Sequence, residues 1–209
     1  EHKAEIIHFN IMPVFPGDDS FLIMDRQGGL YKLGLHNGTL IWKAAAPWVS
    51  VASKTDGGVI LGPDGNSYTC SNYVANGLAG NRGVLRAFRL QDGHRLWEKV
   101  LEKPCNCWPV VSSDGESVIV PIGPVPGPPA ASNKELLEKF GKSPSEMRAW
   151  SLALGSDELR AYGLENRIRT GAIQAFSTRS GELLWSTELP PYGRRAARGD
   201  EEGFLMRRS

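Results

Sequence analysis

The sequence predicts an all-β fold, a partial β-propeller of about three four-stranded blades with a helical insertion in the third blade. Three observations carry this. One pattern of glycines, apolar residues and tryptophan recurs three times without gaps. Each copy holds a turn signal between two strand-like runs. A second strand–turn–strand pattern precedes each copy. Composition agrees, because 24 glycines and 14 prolines among 209 residues exceed the roughly 12% of an average chain. With 41% hydrophobic and 22% charged residues, the chain can fold around a core and is not a disordered polymer.

The repeats run from Gly28 to Trp42, Gly83 to Trp97 and Gly171 to Trp185. In register within them stand Leu30, Leu85 and Ile173, then Leu33, Phe88 and Phe176, then Gly38, Gly93 and Gly181. The pairs Asn37-Gly38, Asp92-Gly93 and Ser180-Gly181 are expected to supply the positive-φ positions of a hairpin turn. Before the turn, apolar residues fall on both strand faces. After it, Ile41, Leu96 and Leu184 point away from Trp42, Trp97 and Trp185. A sheet apolar on both faces must be covered on both. The three tryptophans are therefore expected to be buried at equivalent positions between sheets.

Residues 13–24, 49–61 and 109–120 each read as strand, polar turn, strand. Added to the hairpins, they give four strands per unit, and repeated four-stranded units are propeller blades. The turn glycines lie at 38, 93 and 181, spacings too long for bare blades, so two insertions are expected. The smaller is the polar stretch 67–81. The larger, 121–169, falls between the second and third strands of the third blade. It opens with a stiff Pro-rich run and continues into helical patterns with capping boxes at Ser132…Glu135 and Ser143…Glu146. Leu136 and Phe140 share one helical face, and Met147 and Trp150 another. These four are the insertion residues expected to contact a partner. Residues 1–190 form the propeller region and 191–209 a flexible tail.

The Gly…Ala-Phe…Gly…Trp pattern resembles the tryptophan-docking repeat of PQQ-like (quinoprotein-type) propellers. That resemblance implies tryptophans stacked on the neighbouring blade. It also implies an extracytoplasmic location, in a periplasm or an organelle lumen. The pattern departs from the family at Lys32, where Ala87 and Ala175 stand in the other repeats, and at Gly34, Arg89 and Ser177, where an acidic residue is usual. Quinoprotein dehydrogenases of the family carry adjacent disulfide-bonded cysteines beside the quinone. Here Cys105 and Cys107 are separated by Asn106.

Functional residues are sparse. Lys and Arg number 24 against 23 Asp and Glu, a net charge of +1, so no global field attracts nucleic acid or anionic lipid. No apolar run approaches 18 residues, so the chain is expected to carry no transmembrane segment of its own, leaving an assembly around it free to sit at a membrane. The chain begins at Glu1, which reads as a processed chain or a fragment. The three cysteines read as structural thiols, with the pairing of Cys70 left open. His36 and His94 read as exposed turn residues. No nucleophile–base set, phosphate loop or metal triad stands at recognisable spacing, so no catalytic, cofactor-binding or metal residue is assigned and no cofactor is expected. The expectation is a non-enzymatic propeller scaffold, a protein-interaction subunit bound to other chains of a larger assembly. The alternative is a portion of a PQQ-dependent dehydrogenase.

Overall fold

The computed structural model describes residues 12–25, 28–44, 57–73, 82–105, 107–123, 141, 143, 161 and 170–191. The chain divides into two units, Glu1–Val125 with Gly171–Glu188, and Pro126–Thr170 with Leu189–Ser209. Among the described residues the first unit holds three antiparallel sheets, and the fold is all-β as the repeats predict. The first sheet comprises β1 (Ser20–Met24), β2 (Leu30–Gly34) and β3 (Leu40–Ala44). The second comprises β4 (Val59–Leu61), β5 (Asn66–Tyr73), β6 (Arg82–Arg89) and β7 (Arg95–Val100). The third comprises β8 (Val110–Val111), β9 (Ser117–Ile122), β10 (Ala172–Ser177) and β11 (Leu183–Glu188).

The repeat lays down the same hairpin three times. Lys32 pairs with Trp42, Ala87 with Trp97 and Ala175 with Trp185, and the register shifts at the very next residue in all three. Each turn closes through two backbone bonds. The Gly93 N–H donates to the Arg89 carbonyl and the Arg89 N–H donates to the His94 carbonyl, with equivalents around Gly38 and Gly181. Only the glycine takes positive φ, 68°, 72° and 70° in order. Asn37 and Asp92 do not share that conformation, as the sequence suggested they would. Their side chains instead accept the N–H two residues ahead, from Thr39 and His94, which braces the turn from outside.

Three strand assignments change. The stretch 67–81, read as an insertion, contains most of β5, and Val59–Leu61 is the first strand of its sheet. The turn between them is built on Gly65 at φ 76°, with the Gly65 N–H on the Gly62 carbonyl. Polarity hid β5, because Ser67, Thr69 and Ser71 alternate along it. All three are nonetheless buried, on the face that holds Arg86, whose Nη1 donates to Ser71 Oγ at 2.7 Å. Residues 49–56 and 74–81 lie outside the described residues. In the first sheet the expected fourth strand is a single bridge, Val14 to Leu22, so that sheet has three strands among the described residues. The helical insertion lies outside the described residues, apart from isolated positions, and so does the tail from 192. The ends of β9 and β10 do place the long insertion between the second and third strands of the third sheet.

The sheets stack in chain order. Between the first and second lies a cluster of Leu22, Met24, Leu30, Val59 and Phe88. Between the second and third lie Tyr68, Cys70, Leu85, Ala87, Val118, Val120, Ile122, Ala172 and Phe176. Strand β6 is buried along its whole interior because its two faces serve different clusters. Burying each large aliphatic or aromatic side chain contributes about 1.5–3 kcal/mol.

Candidate interaction surface

The tryptophans link one sheet to the next. Trp42 donates its indole N–H to the Leu90 carbonyl at 3.2 Å, and Trp97 donates to the Thr178 carbonyl at 2.7 Å. Leu90 and Thr178 occupy the same position, the first residue of the following sheet's turn. The rings lie against the turn glycines. A Cβ placed on Gly93 would fall 2.6 Å from Trp42 Cε3, and one on Gly181 would fall 2.7 Å from Trp97 Cε3. Each seat therefore needs a glycine for two reasons, positive φ and ring clearance. Trp42 and Trp97 are half-buried between sheets, and Trp97 also meets Tyr68 at a ring distance of 6.0 Å.

Trp185 breaks the pattern. It stands at the same register position, opposite Ala175, yet it is 44% exposed. The expectation that all three tryptophans are buried is thus corrected: Trp42 and Trp97 are half-buried and Trp185 is exposed. Among the described residues no turn glycine lies against the Trp185 ring. The same face of the third sheet carries Val110, 58% exposed, with Ile119 and Ile173 half-buried. At the opposite end, Gly38 is exposed and a Cβ built on it meets nothing within 4 Å.

Lys32 explains the departure of the first repeat. It is buried where Ala87 and Ala175 stand. Its Nζ lies 2.6 Å from Asp18 Oδ2 and also donates to the Leu90 carbonyl at 3.4 Å. The ammonium beside it, with the Ser20 hydroxyl, holds the Asp18 carboxyl below the usual carboxylate range.

A row of polar residues escaped the sequence reading. Tyr31, Arg86 and Gln174 stand at one repeat position. Tyr31 Oη donates to Asp25 Oδ2 at 2.8 Å. Arg86, 1% exposed, donates to Ser71 and, through Nε, to Glu98 at 3.0 Å. Gln174 donates to Ser186 Oγ at 3.3 Å. The signal was available in the alignment of the repeats, where a hydrogen-bonding residue always follows Leu30, Leu85 or Ile173.

The reading of all cysteines as thiols is corrected. Cys70 and Cys105 are disulfide-bonded, and Cys107 is free. The Gly83 N–H donates to the Lys103 carbonyl and the Leu101 N–H to the Gly83 carbonyl, which brings Cys105 onto β5. The Asn72 side chain accepts the Cys105 N–H at 2.9 Å. Sequence spacing could not show this, because the approach depends on where β7 ends. Burial pushes the Cys107 thiol up to about 12. His36 and His94 are exposed turn residues. The expected partner contacts Leu136, Phe140, Met147 and Trp150 lie outside the described residues. Among the described residues no group of three His, Cys, Asp or Glu side chains could hold a metal ion, and no helix is long and apolar enough to cross a membrane.

No family model matches the chain, and no curated protein matches it. Solved structures do. BamB from Moraxella catarrhalis is similar at 13% identity and TM-score 0.41, over 81% of this chain and 33% of that one. The quinohemoprotein alcohol dehydrogenase ADHIIG from Pseudomonas putida HK5 is similar at 14% identity and TM-score 0.48, over 87% and 21%. A eukaryotic initiation factor is similar at 10% identity and TM-score 0.43, over 83% and 31%. The chain spans between about a fifth and a third of the length of these proteins. The first two have PQQ-like β-propeller folds.

Proposed function

We propose that this chain is a non-enzymatic propeller module that works by docking protein, as a subunit of a larger assembly outside the cytoplasm. The observation that carries the reading is the contrast between Trp97, seated on the next sheet, and Trp185, 44% exposed at the equivalent position. Soluble proteins seldom leave a ring with an apolar surround in water unless something binds it. The Cys70–Cys105 bond supports an oxidising compartment. It also argues against a quinoprotein dehydrogenase site, since Cys105 is bonded to a residue 35 positions away and not to a close neighbour in sequence.

The test has two arms. Purified protein incubated with PQQ and calcium, then desalted, is expected to show no quinone absorbance and no dye-linked alcohol oxidation. At low protein concentration it is expected to bind a hydrophobic fluorescent dye, and Trp185→Ser with Val110→Ser is expected to lower that signal. Stoichiometric quinone with turnover, or a dye-silent parent, overturns the reading.

A further inference from the structure

We propose that Asn37 accepts an N-linked oligosaccharide on the outside of the first hairpin turn, a modification that rests on the extracytoplasmic reading above. Asn37-Gly38-Thr39 is the one Asn-x-Ser/Thr tripeptide in the sequence, the pattern that asparagine-glycosylating enzymes read. Such a tripeptide also arises by chance. Three structural observations set this one apart.

The first is access. Asn37, Gly38 and Thr39 are all exposed. The other two hairpins show that this exposure belongs to the turn positions and not to what lies beyond the first sheet. Asp92 and His94 flank Gly93, and Ser180 and Glu182 flank Gly181. All four flanking residues are exposed, although Trp42 and Trp97 lie against the glycines between them. A ring or a further sheet on Gly38 would therefore leave Asn37 in solvent.

The second is the state of the side chains. Asn37 Oδ1 accepts the Thr39 N–H at 3.0 Å, which holds the amide by its oxygen. The Gly38 N–H donates to the Gly34 carbonyl at 2.9 Å. The turn is thus closed without using Asn37 Nδ2, the atom that takes the sugar, or the Thr39 hydroxyl. Gly38 places no side chain between them. A glycan added before or after folding leaves this hairpin intact.

The third is the compartment. The Cys70–Cys105 bond belongs to an oxidising environment, as does the secretory route on which N-linked sugar is added.

The co-substrate is an oligosaccharide joined through C1 of its first sugar to a lipid diphosphate. A bond forms between Asn37 Nδ2 and C1, and the C1–O bond breaks. The lipid diphosphate leaves with the electron pair, and one Nδ2 proton passes to a base of the transferase. Nothing is oxidised or reduced. The product lies next in sequence to Leu35, Leu40 and Ile41, which are 45%, 52% and 52% exposed. Leu40 and Ile41 begin β3, an edge strand among the described residues, whose one charge is Lys43. A bulky polar chain at that edge hinders pairing with a foreign strand.

The deciding experiment is mass spectrometry on the protein from the cells that make it. Its tryptic peptide Leu33–Lys43 is expected to carry sugar mass. Treatment with a glycan-releasing amidase in heavy-oxygen water is expected to convert Asn37 to Asp bearing heavy oxygen. A digest without amidase controls for the spontaneous deamidation to which Asn-Gly is prone. Residues 1–209 routed through the secretory pathway of an animal cell test the tripeptide itself. The parent is expected above 22.8 kDa and to return to that mass with amidase. Asn37→Asp and Thr39→Ala are expected at the bare chain mass, whereas Thr39→Ser keeps the sugar. Neither loss should unfold the turn. Asp92 shows that a carboxylate braces it equally, and Thr39→Ala retains the N–H that Asn37 accepts. Circular dichroism checks that each variant is folded. A bare Leu33–Lys43 peptide in protein from its own cells overturns the proposal, as does extra mass that persists in both variants. If that bare protein holds the Cys70–Cys105 bond, the extracytoplasmic reading stands. If Cys70 and Cys105 are thiols in it, that reading falls as well.

Discussion

At the scale of single residues, the tryptophan seat joins two requirements that are usually separate. The ring must clear the turn, and the turn must adopt a left-handed backbone. Gly181 meets both demands, with φ 70° and Trp97 Cε3 2.7 Å from where a Cβ would sit. Gly38 meets only the second within a single chain. Alanine at Gly38 is expected to cost about 1–2 kcal/mol, the strain of a left-handed residue. Alanine at Gly181 is expected to cost clearly more, because the Trp97 ring must also move. Urea denaturation of both variants at dilution checks the difference. Trp97→Ala is expected to cost about 3 kcal/mol, and Trp97→Phe about 1 kcal/mol through the lost bond to the Thr178 carbonyl. Equal effects of the two Trp97 substitutions would mean that the ring contributes nothing.

At the scale of elements, two of the ties that hold loops to strands lend themselves to a test. The Cys70–Cys105 bond spans 35 residues and fastens the segment after β7 onto β5. Closing a loop of that length contributes about 3–4 kcal/mol in the chain-entropy account. Replacing both cysteines by serine is expected to lower stability by that order, measured by thermal or denaturant unfolding. The second tie is Lys32 to Asp18, which fastens the turn before β1 onto β2. The Asp18 carboxyl is held below its ordinary range by Lys32. Its contribution is complete above the ordinary carboxylate value of about 4 and is lost as pH falls through the lowered one. Asp18→Asn is therefore expected to destabilise the protein at pH 7. The gap between variant and parent is expected to narrow below about pH 4. A gap that widens in acid would contradict this. Asp18 is half exposed, which keeps the effect modest.

At the scale of the whole molecule, burial falls off from the middle sheet outward. Strand β6 is buried on both faces, whereas its counterparts β2 and β10 in the outer sheets keep half-buried positions, and the last strand is largely exposed in all three sheets. Local opening follows the number of covered faces. Hydrogen exchange is expected to be slowest in β5 and β6, faster in their counterparts in the outer sheets, and fastest in the last strands β3, β7 and β11. Uniform protection across the three sheets would contradict a stack whose ends are open. The end that carries Trp185 is the module's working surface in the reading proposed above, and the centre is its scaffold.

The spacing from Gly28, Gly83 and Gly171 to the three tryptophans determined by itself the three hairpins and their common register. It did so because period-two alternation and a turn glycine are local constraints that a short window contains. The interruption of the third repeat was also legible, although Pro121 and Ile122, read as the start of the insertion, belong to β9. Strand β5 was not legible. Its serines and threonine look like loop residues until Arg86, 15 residues from Ser71, is placed across from them. The disulfide was hidden for the same reason, because a partner 35 residues away is brought near only by the path of β6 and β7. Trp42, Trp97 and Trp185 are indistinguishable as sequence. Only the tertiary structure separates two seated rings from an exposed one, because burial depends on what the neighbouring sheet presents and a repeat cannot state whether it has a neighbour.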